Sequence, residues 1–378
     1  MSDGAPAREV PPLFCILPRT FRTSVPQRMT KLRCTPNRQP WPVARRAIPV
    51  CVAVAAALAG GLAPEAASAC ACGCGVFDVG ASTVFPNESE TGFATWLRWS
   101  MMDQNKNWEG TSSAPASDNA DKEIRTNFYT IGGMYMASRK WSFMAELPVY
   151  HRSLETTDDG TVAGPAGTIY TGHITDMGDL QLMTVYTGFS PDMSTGVLFG
   201  LKLPTGNYTG PNGPLGGPEF DRDSLPGTGS TDWMIGAYHL GGLSADNRLA
   251  YFAQFRYDMP FMVRNSYRPG NEVDAAIGLT YDFGAVGVLT RDAPVIQLLA
   301  SQRNHDTGSE ADPLNSGYTR YLIAPGIDLR FRDNWRLYAD AEIPIWQRTN
   351  AASSPAIEGT SGQLVANVLY KVQITYSF

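Results

Sequence analysis

The chain has 378 residues, 43% of them hydrophobic and 17% charged, and a net charge of −6. That length admits one large domain or two smaller ones. The acid excess excludes nucleic acid as a partner, because phosphate backbones are gripped by basic surfaces.

Residues 1–69 read as a signal peptide and leader. Ile48 to Leu62 is an apolar run preceded by Arg45 and Arg46 and followed by Ala67-Ser68-Ala69, the small-x-small form of a signal-peptidase site. The run is too short for a spanning helix, and no later stretch offers about eighteen uninterrupted apolar residues. Any spanning structure must therefore be a closed barrel. Met29 opens a more conventional leader than Met1 and is the alternative start. Without residues 1–69 the chain keeps 21 basic and 33 acidic residues and is more acidic still.

Three of the six cysteines, Cys15, Cys34 and Cys51, leave with the leader; Cys70, Cys72 and Cys74 stand together at the new N-terminus. Thiolates spaced by one residue can hold a soft metal such as Cu(I) or Zn(II), although three ligands make an incomplete site. Two other readings stay open: lipidation of Cys70, against which Ala67 stands where a lipobox has Leu, and disulfide chemistry or no role in an oxidising compartment. No metal or other cofactor is implied elsewhere. Residues 70–90 form a periplasmic lead-in or plug, and 91–378 the barrel.

From Phe93 on, apolar and polar positions alternate with the period of a strand. Phe93, Leu97, Trp99 and Met101 oppose Trp96, Arg98 and Ser100. After a polar stretch at 103–123, a strand near 126–137 turns back at Ser138-Arg139-Lys140. Trp141, Phe143, Ala145, Leu147 and Val149 then oppose Ser142, Met144, Glu146, Tyr150 and Arg152. Later strands around 249–258, 272–283, 320–331 and from Trp335 repeat the pattern. Long polar connections (103–123, 154–177, 204–230, 260–270, 305–317, 348–362) alternate with mostly shorter ones, the asymmetry of outer-membrane barrels. The expected fold is all-β: an antiparallel up-and-down transmembrane barrel of about twelve strands.

The chain ends on Gln363–Phe378, where Leu364, Ala366, Val368, Tyr370, Val372, Ile374, Tyr376 and Phe378 alternate with mostly polar neighbours. This ending resembles the last strand of bacterial outer-membrane barrels, and the resemblance makes Tyr376 and Phe378 part of the signal read by the barrel assembly machinery. In a closed barrel this strand must pair with the first, near 92–102.

Charges opposite the apolar face belong to the lumen. They are Arg98, Glu146, Arg152, Lys202, Arg256, Asp258, Glu272, Asp274, Asp282, Arg320, Asp328, Arg330, Arg336, Asp340, Glu342 and Lys371. Each either cross-links opposite walls or lines a solute path. The loop acids Asp118, Asp121, Glu123, Asp158, Asp159, Glu219, Asp221 and Asp223 read as a solvated face, with divalent bridging to lipopolysaccharide as the sharper alternative. His151, His173, His239 and His305 pair with no nucleophile in sequence.

The strand GVLFGLKLPTGNY ending in Pro204-Thr205-Gly206, the Gly178-Asp179-Leu180 start before it, and GTGSTDW at Gly227–Trp233 carry a family resemblance. They are similar to the outer-membrane channels named for the meta-cleavage pathway of phenol degradation. The resemblance covers most of the chain after the leader. It implies a bacterial outer-membrane channel for small, hydrophobic or aromatic solutes, with the lipid bilayer and lipopolysaccharide around it, and no enzyme. The cysteine cluster is foreign to that pattern. It leaves a second reading, a barrel serving as anchor or sheath while the cysteines engage a metal or a periplasmic redox partner. An outer-membrane lipase is a third, since Ser-His geometry is spatial and not sequential.

Overall fold

The computed structural model describes residues 80, 91–157, 165, 167–209, 220–332, 334–350 and 362–378. The leader and Cys70, Cys72 and Cys74 lie outside the described residues, as do Asp158, Asp159 and Glu219. Twelve staves form one antiparallel sheet: β1 Gly92–Glu109, β2 Asp121–Ser138, β3 Trp141–Thr157, β4 in two segments (Ile169–Met177 and Leu180–Tyr186), β5 Thr195–Leu203, β6 Thr231–Gly242, β7 Leu249–Met262, β8 Glu272–Tyr281, β9 Leu289–Arg303, β10 Tyr318–Phe331, β11 Trp335–Thr349 and β12 Gln363–Ser377. Each pairs with its sequence neighbour, and β12 pairs with β1 from Ala94↔Ser377 to Trp108↔Gln363, closing the barrel. Closure follows from the solvent: in hydrocarbon an unpaired strand edge strands its N–H and C=O groups at several kcal/mol each.

Every stave contributes a large apolar side chain to an exposed outer band. Leu97, Ile131, Phe143, Leu182, Phe199 and Ile235 supply one half, and Phe255, Ile277, Leu298, Ile327, Ile343 and Ile374 the other. A continuous belt of this kind is covered by lipid, not water. Rings gather at the edge beside the short turns: Trp335–Tyr376 and Tyr376–Phe378 each lie 4.7 Å apart, and Phe93–Phe378 5.6 Å. Trp141, Tyr186 and Phe189 continue the girdle, where amphipathic rings suit the membrane interface.

Two sequence expectations need correction. The polar stretches 103–123 and 154–177 are largely strand: β1 runs to Glu109, β2 begins at Asp121, β3 runs to Thr157, and β4 begins at Ile169. On β2 the outward face turns from Tyr129 and Ile131 to Asn127 and Arg125, so the strand continues past the lipid while its apolar signal stops. The alternation of β12 also changes phase. Leu364 and Ala366 are buried, Asn367 is exposed, and Leu369 is buried again. Met102 pairs with Leu369 but Gln104 with Ala366, a bulge that adds one residue on β12; a second shift follows between Gln104 and Lys106.

Candidate functional site: the barrel lumen

Register places the inward charges in rows. Glu146, Gln181, Lys202 and Asp232 are successive neighbours across β3 to β6. Asp258, Glu272 and Arg303 form a row across β7 to β9, and one step away Arg256, Asp274, Ser301, Arg320 and Gln347 form another, reaching β11. Asp340, Lys371 and Ser100 connect β11, β12 and β1.

Burial forces these groups into pairs, since an uncompensated charge away from water is strongly disfavoured. Arg98 contacts Glu146 at 3.3 Å, and the Trp96 indole donates to the same carboxylate at 3.0 Å. A Cβ on Gly132 would lie 2.1 Å from that indole, so the glycine lets Trp96 lie flat on the wall. Lys202 pairs with Asp232. Arg256 grips Asp258 with two bonds, 2.8 and 2.6 Å. Lys371 meets Glu342 at 2.8 Å, with both side chains essentially buried. Asp340 accepts from Tyr338 and Gln297.

The sixteen residues singled out from sequence fall into three places. Arg98, Glu146, Arg152, Lys202, Arg256, Asp258, Glu272 and Asp274 line one cavity of about 160 Å³, room for a handful of waters or a small solute group. Arg320, Asp340, Glu342 and Lys371 brace the β10–β12 side, Arg320 lying 4.0 Å over the Tyr318 ring. Asp328 and Arg336 pair at 2.7 Å, and Asp282 and Arg291 at 3.3 Å, toward the short-turn end, with Arg330 beside Arg336. Those at the short-turn end do not reach the cavity lining.

Sequence reasoning missed the roof. Leu225, Pro226, Gly227 and Thr228, from the segment leading into β6, line the cavity, and Phe220 and Leu225 pack with Ile124, Leu154, Ile174 and Leu364. Arg152 donates to the Ser224 carbonyl. Arg222 donates to the carbonyls of Gly227 and Thr228 and stacks 4.3 Å over Tyr267. Asp306 then holds the neighbouring loops, accepting from Tyr267, Gly270 N and Arg303. Burial and this carboxylate push the Tyr267 phenol up from its ordinary pKa. Asp223 lines the cavity and Asp121 is half-buried, so neither belongs to the solvated face. Burial, with Asp221 nearby, raises the Asp121 carboxyl to about 6.

The break in β4 explains the Gly-rich phrases. Buried Asp179 accepts from Gly206 N at 3.0 Å, Thr228 N at 2.8 Å and the Thr228 hydroxyl at 2.6 Å. Thr205 Oγ1 accepts from Leu180 N and donates to the Gly178 carbonyl. A Cβ on Gly206 or Gly227 would meet the other's backbone at 2.8 and 2.4 Å, so the backbones touch directly. The three phrases that carried the family resemblance are one staple in space.

Toward the short turns the lumen changes character. Met134, Met136, Met144, Met183, Met193 and Met234 cluster with Trp96, Leu198 and Tyr238. Gly80 is also inside: its N–H donates to Gln254 Oε1 at 2.9 Å, and it abuts Gln297. His151 and His239 bond the hydroxyls of Thr175, and of Thr195 and Tyr251, on exposed positions.

No family model matches the sequence, and no curated protein does. Among solved structures, an outer-membrane channel of Pseudomonas putida F1 aligns with a TM-score of 0.55 at 11% identity, covering 80% of this chain and 100% of that one. The likeness is one of fold. The β domain of the Bordetella autotransporter BrkA reaches 0.44 at 13% identity over 76% and 100% of the two chains. The Ralstonia pickettii toluene transporter TbuX reaches 0.34 at 9% over 83% and 95%.

Proposed function

We propose that the protein is a bacterial outer-membrane channel for small solutes with hydrophobic or aromatic parts. The observation that carries this reading is the lumen, where a charged cavity with aromatic walls lies beside a methionine-rich zone inside a closed, lipid-belted barrel. Thioethers adapt to irregular apolar shapes, and a few fixed polar groups orient what they touch. The Pseudomonas channel of the same fold supports the reading by analogy. Proteoliposome swelling with small aromatic solutes tests it, and no flux above empty liposomes overturns it.

A second reading concerns the cysteines. Gly80 is in the lumen, six residues after Cys74 in the sequence. The one-residue spacing of three thiols supports soft-metal binding at Cys70, Cys72 and Cys74 beside transport. Unchanged metal content after replacing all three by Ser refutes it.

A further inference from the structure

The cavity walls are unequal. On the β2–β3 side Phe128 and Tyr150 pack edge to face at 4.9 Å beside Pro148, giving an apolar end. The nearby cations are taken up: Arg98 by Glu146, and Arg152 by the Ser224 carbonyl and the Thr126 hydroxyl. On the β7–β8 side, Asp258, Glu272 and Asp274 stand beside Arg256, with Arg303 across from Glu272. Asp258 holds Arg256 with both oxygens. Glu272 has only neutral donors bonded to it, Ser301 at 3.3 Å and Tyr318 at 2.7 Å. Arg303, opposite Glu272 in register, is bonded to Asp306.

Asp274 carries the decisive atom. It is 8% exposed, it lines the cavity, and its Oδ1 is buried with no hydrogen-bond partner. A buried carboxylate oxygen with an open lone pair costs free energy until something donates to it. Glu272 and Asp274, two apart on β8, project to the same side. Among the described residues no three His, Cys, Asp or Glu side chains are placed to share a metal ion. An ammonium fits better: it brings up to three N–H donors and one positive charge on a stem that can reach the Phe128–Tyr150 end.

We propose that Glu272 and Asp274 bind the ammonium group of a small organic cation, so that the channel admits amines with an apolar body in preference to carboxylates of the same size. This rests on the channel reading and names the substrate class of the same lumen. A low-dielectric wall with an excess of one sign concentrates its counter-ion.

The test uses the processed protein in proteoliposomes and two probes of matched size and opposite charge, phenethylammonium and phenylacetate. The wild type passes the cation about tenfold faster, and Glu272→Gln with Asp274→Asn brings the ratio near one. Both changes keep the bonds to Ser301 and Tyr318 and preserve heat-modifiability, which reports folding. Asp246→Asn, on an exposed turn, leaves the ratio alone. Flux without discrimination, or a preference that survives the double change, overturns this inference and leaves the channel standing. Calorimetric binding of phenethylammonium, lost in the double variant, without flux of either probe sustains the site and overturns the channel. Neither flux nor binding overturns both.

Discussion

Two zones of the same lumen handle burial in opposite ways. Glu146, Lys202 and Arg256 around the cavity, and Glu342 on the β10–β12 side, are each held to a named partner of opposite charge. Nearer the short turns, six methionines pack with Trp96 and Tyr238, and thioethers need no directed partner. A charge that loses its counter-ion cannot relax cheaply, whereas an unbranched thioether can repack. In the proposed channel, selectivity would therefore belong to the charged zone and tolerance of shape to the methionine zone.

The comparison assumes a closed wall, so the most drastic way to break it is at the seam. Tyr376→Ser with Phe378→Ser removes rings that bridge β11, β12 and β1. It is expected to eliminate most assembled, heat-modifiable protein, measured by gel shift, while the equivalent change Tyr208→Ser in loop 204–230 leaves yields near normal. Next comes the charged zone itself. Lys371→Met leaves Glu342 buried beside Asp340 without its cation, and should cost about 3–5 kcal/mol in denaturant unfolding. Asp179→Ala removes three bonds to Gly206 and Thr228. It should cost about 2–3 kcal/mol and expose 204–230 to proteolysis. In the methionine zone, Met144→Leu or Met183→Leu should each cost less than about 1.5 kcal/mol; larger losses would erase the distinction between the zones.

The smallest effect is a pH dependence beyond the lipid belt. Asp121 lies on β2 six residues past Asn127, where the outward face is already polar. Its carboxyl is raised from 3.8 to about 6, chiefly by burial, so the folded state holds this proton more tightly than the unfolded one. The folded form therefore gains stability as pH falls through about 6 toward 3.8, and loses it as pH rises again. Protection factors at Ile124 and Arg125, which correct for the intrinsic pH dependence of exchange, should rise on acidification, and Asp121→Asn should remove that response.

Alternation made the outward faces of β1, β3, β8 and β12 readable, because lipid selects apolar side chains at every second position. Where lipid ends, the selection ends. Ile169–Met177 and Asp103–Glu109 are strands whose outer faces meet water, and their composition reads as loop. Leu364 and Ala366 were assigned the wrong face because a bulge changes parity without changing composition. Asp179 was visible only as a letter in a Gly-rich phrase. Its partners lie 27 and 49 residues away, and nothing in local sequence couples them. Asp232 and Arg303 follow the inward parity of β6 and β9, but one sits at the start of its strand and the other at its end, where alternation is thinnest.

That bulge has a consequence for how the ring closes. Each hairpin inherits its alignment from its own turn, but β1 and β12 are joined by none, and the two ends of the sheet could in principle meet at several offsets. A one-residue slip would send Lys371 into the bilayer and Ile374 into the lumen. The extra residue between Ala366 and Leu369 and the opposing shift between Gln104 and Lys106 act as a key cut into both edges. Only one offset lets both irregularities mate while Phe378 N still reaches the Phe93 carbonyl at the far end, 2.8 Å away. The irregular part of the seam is thus what tells two distant strands where to stop sliding.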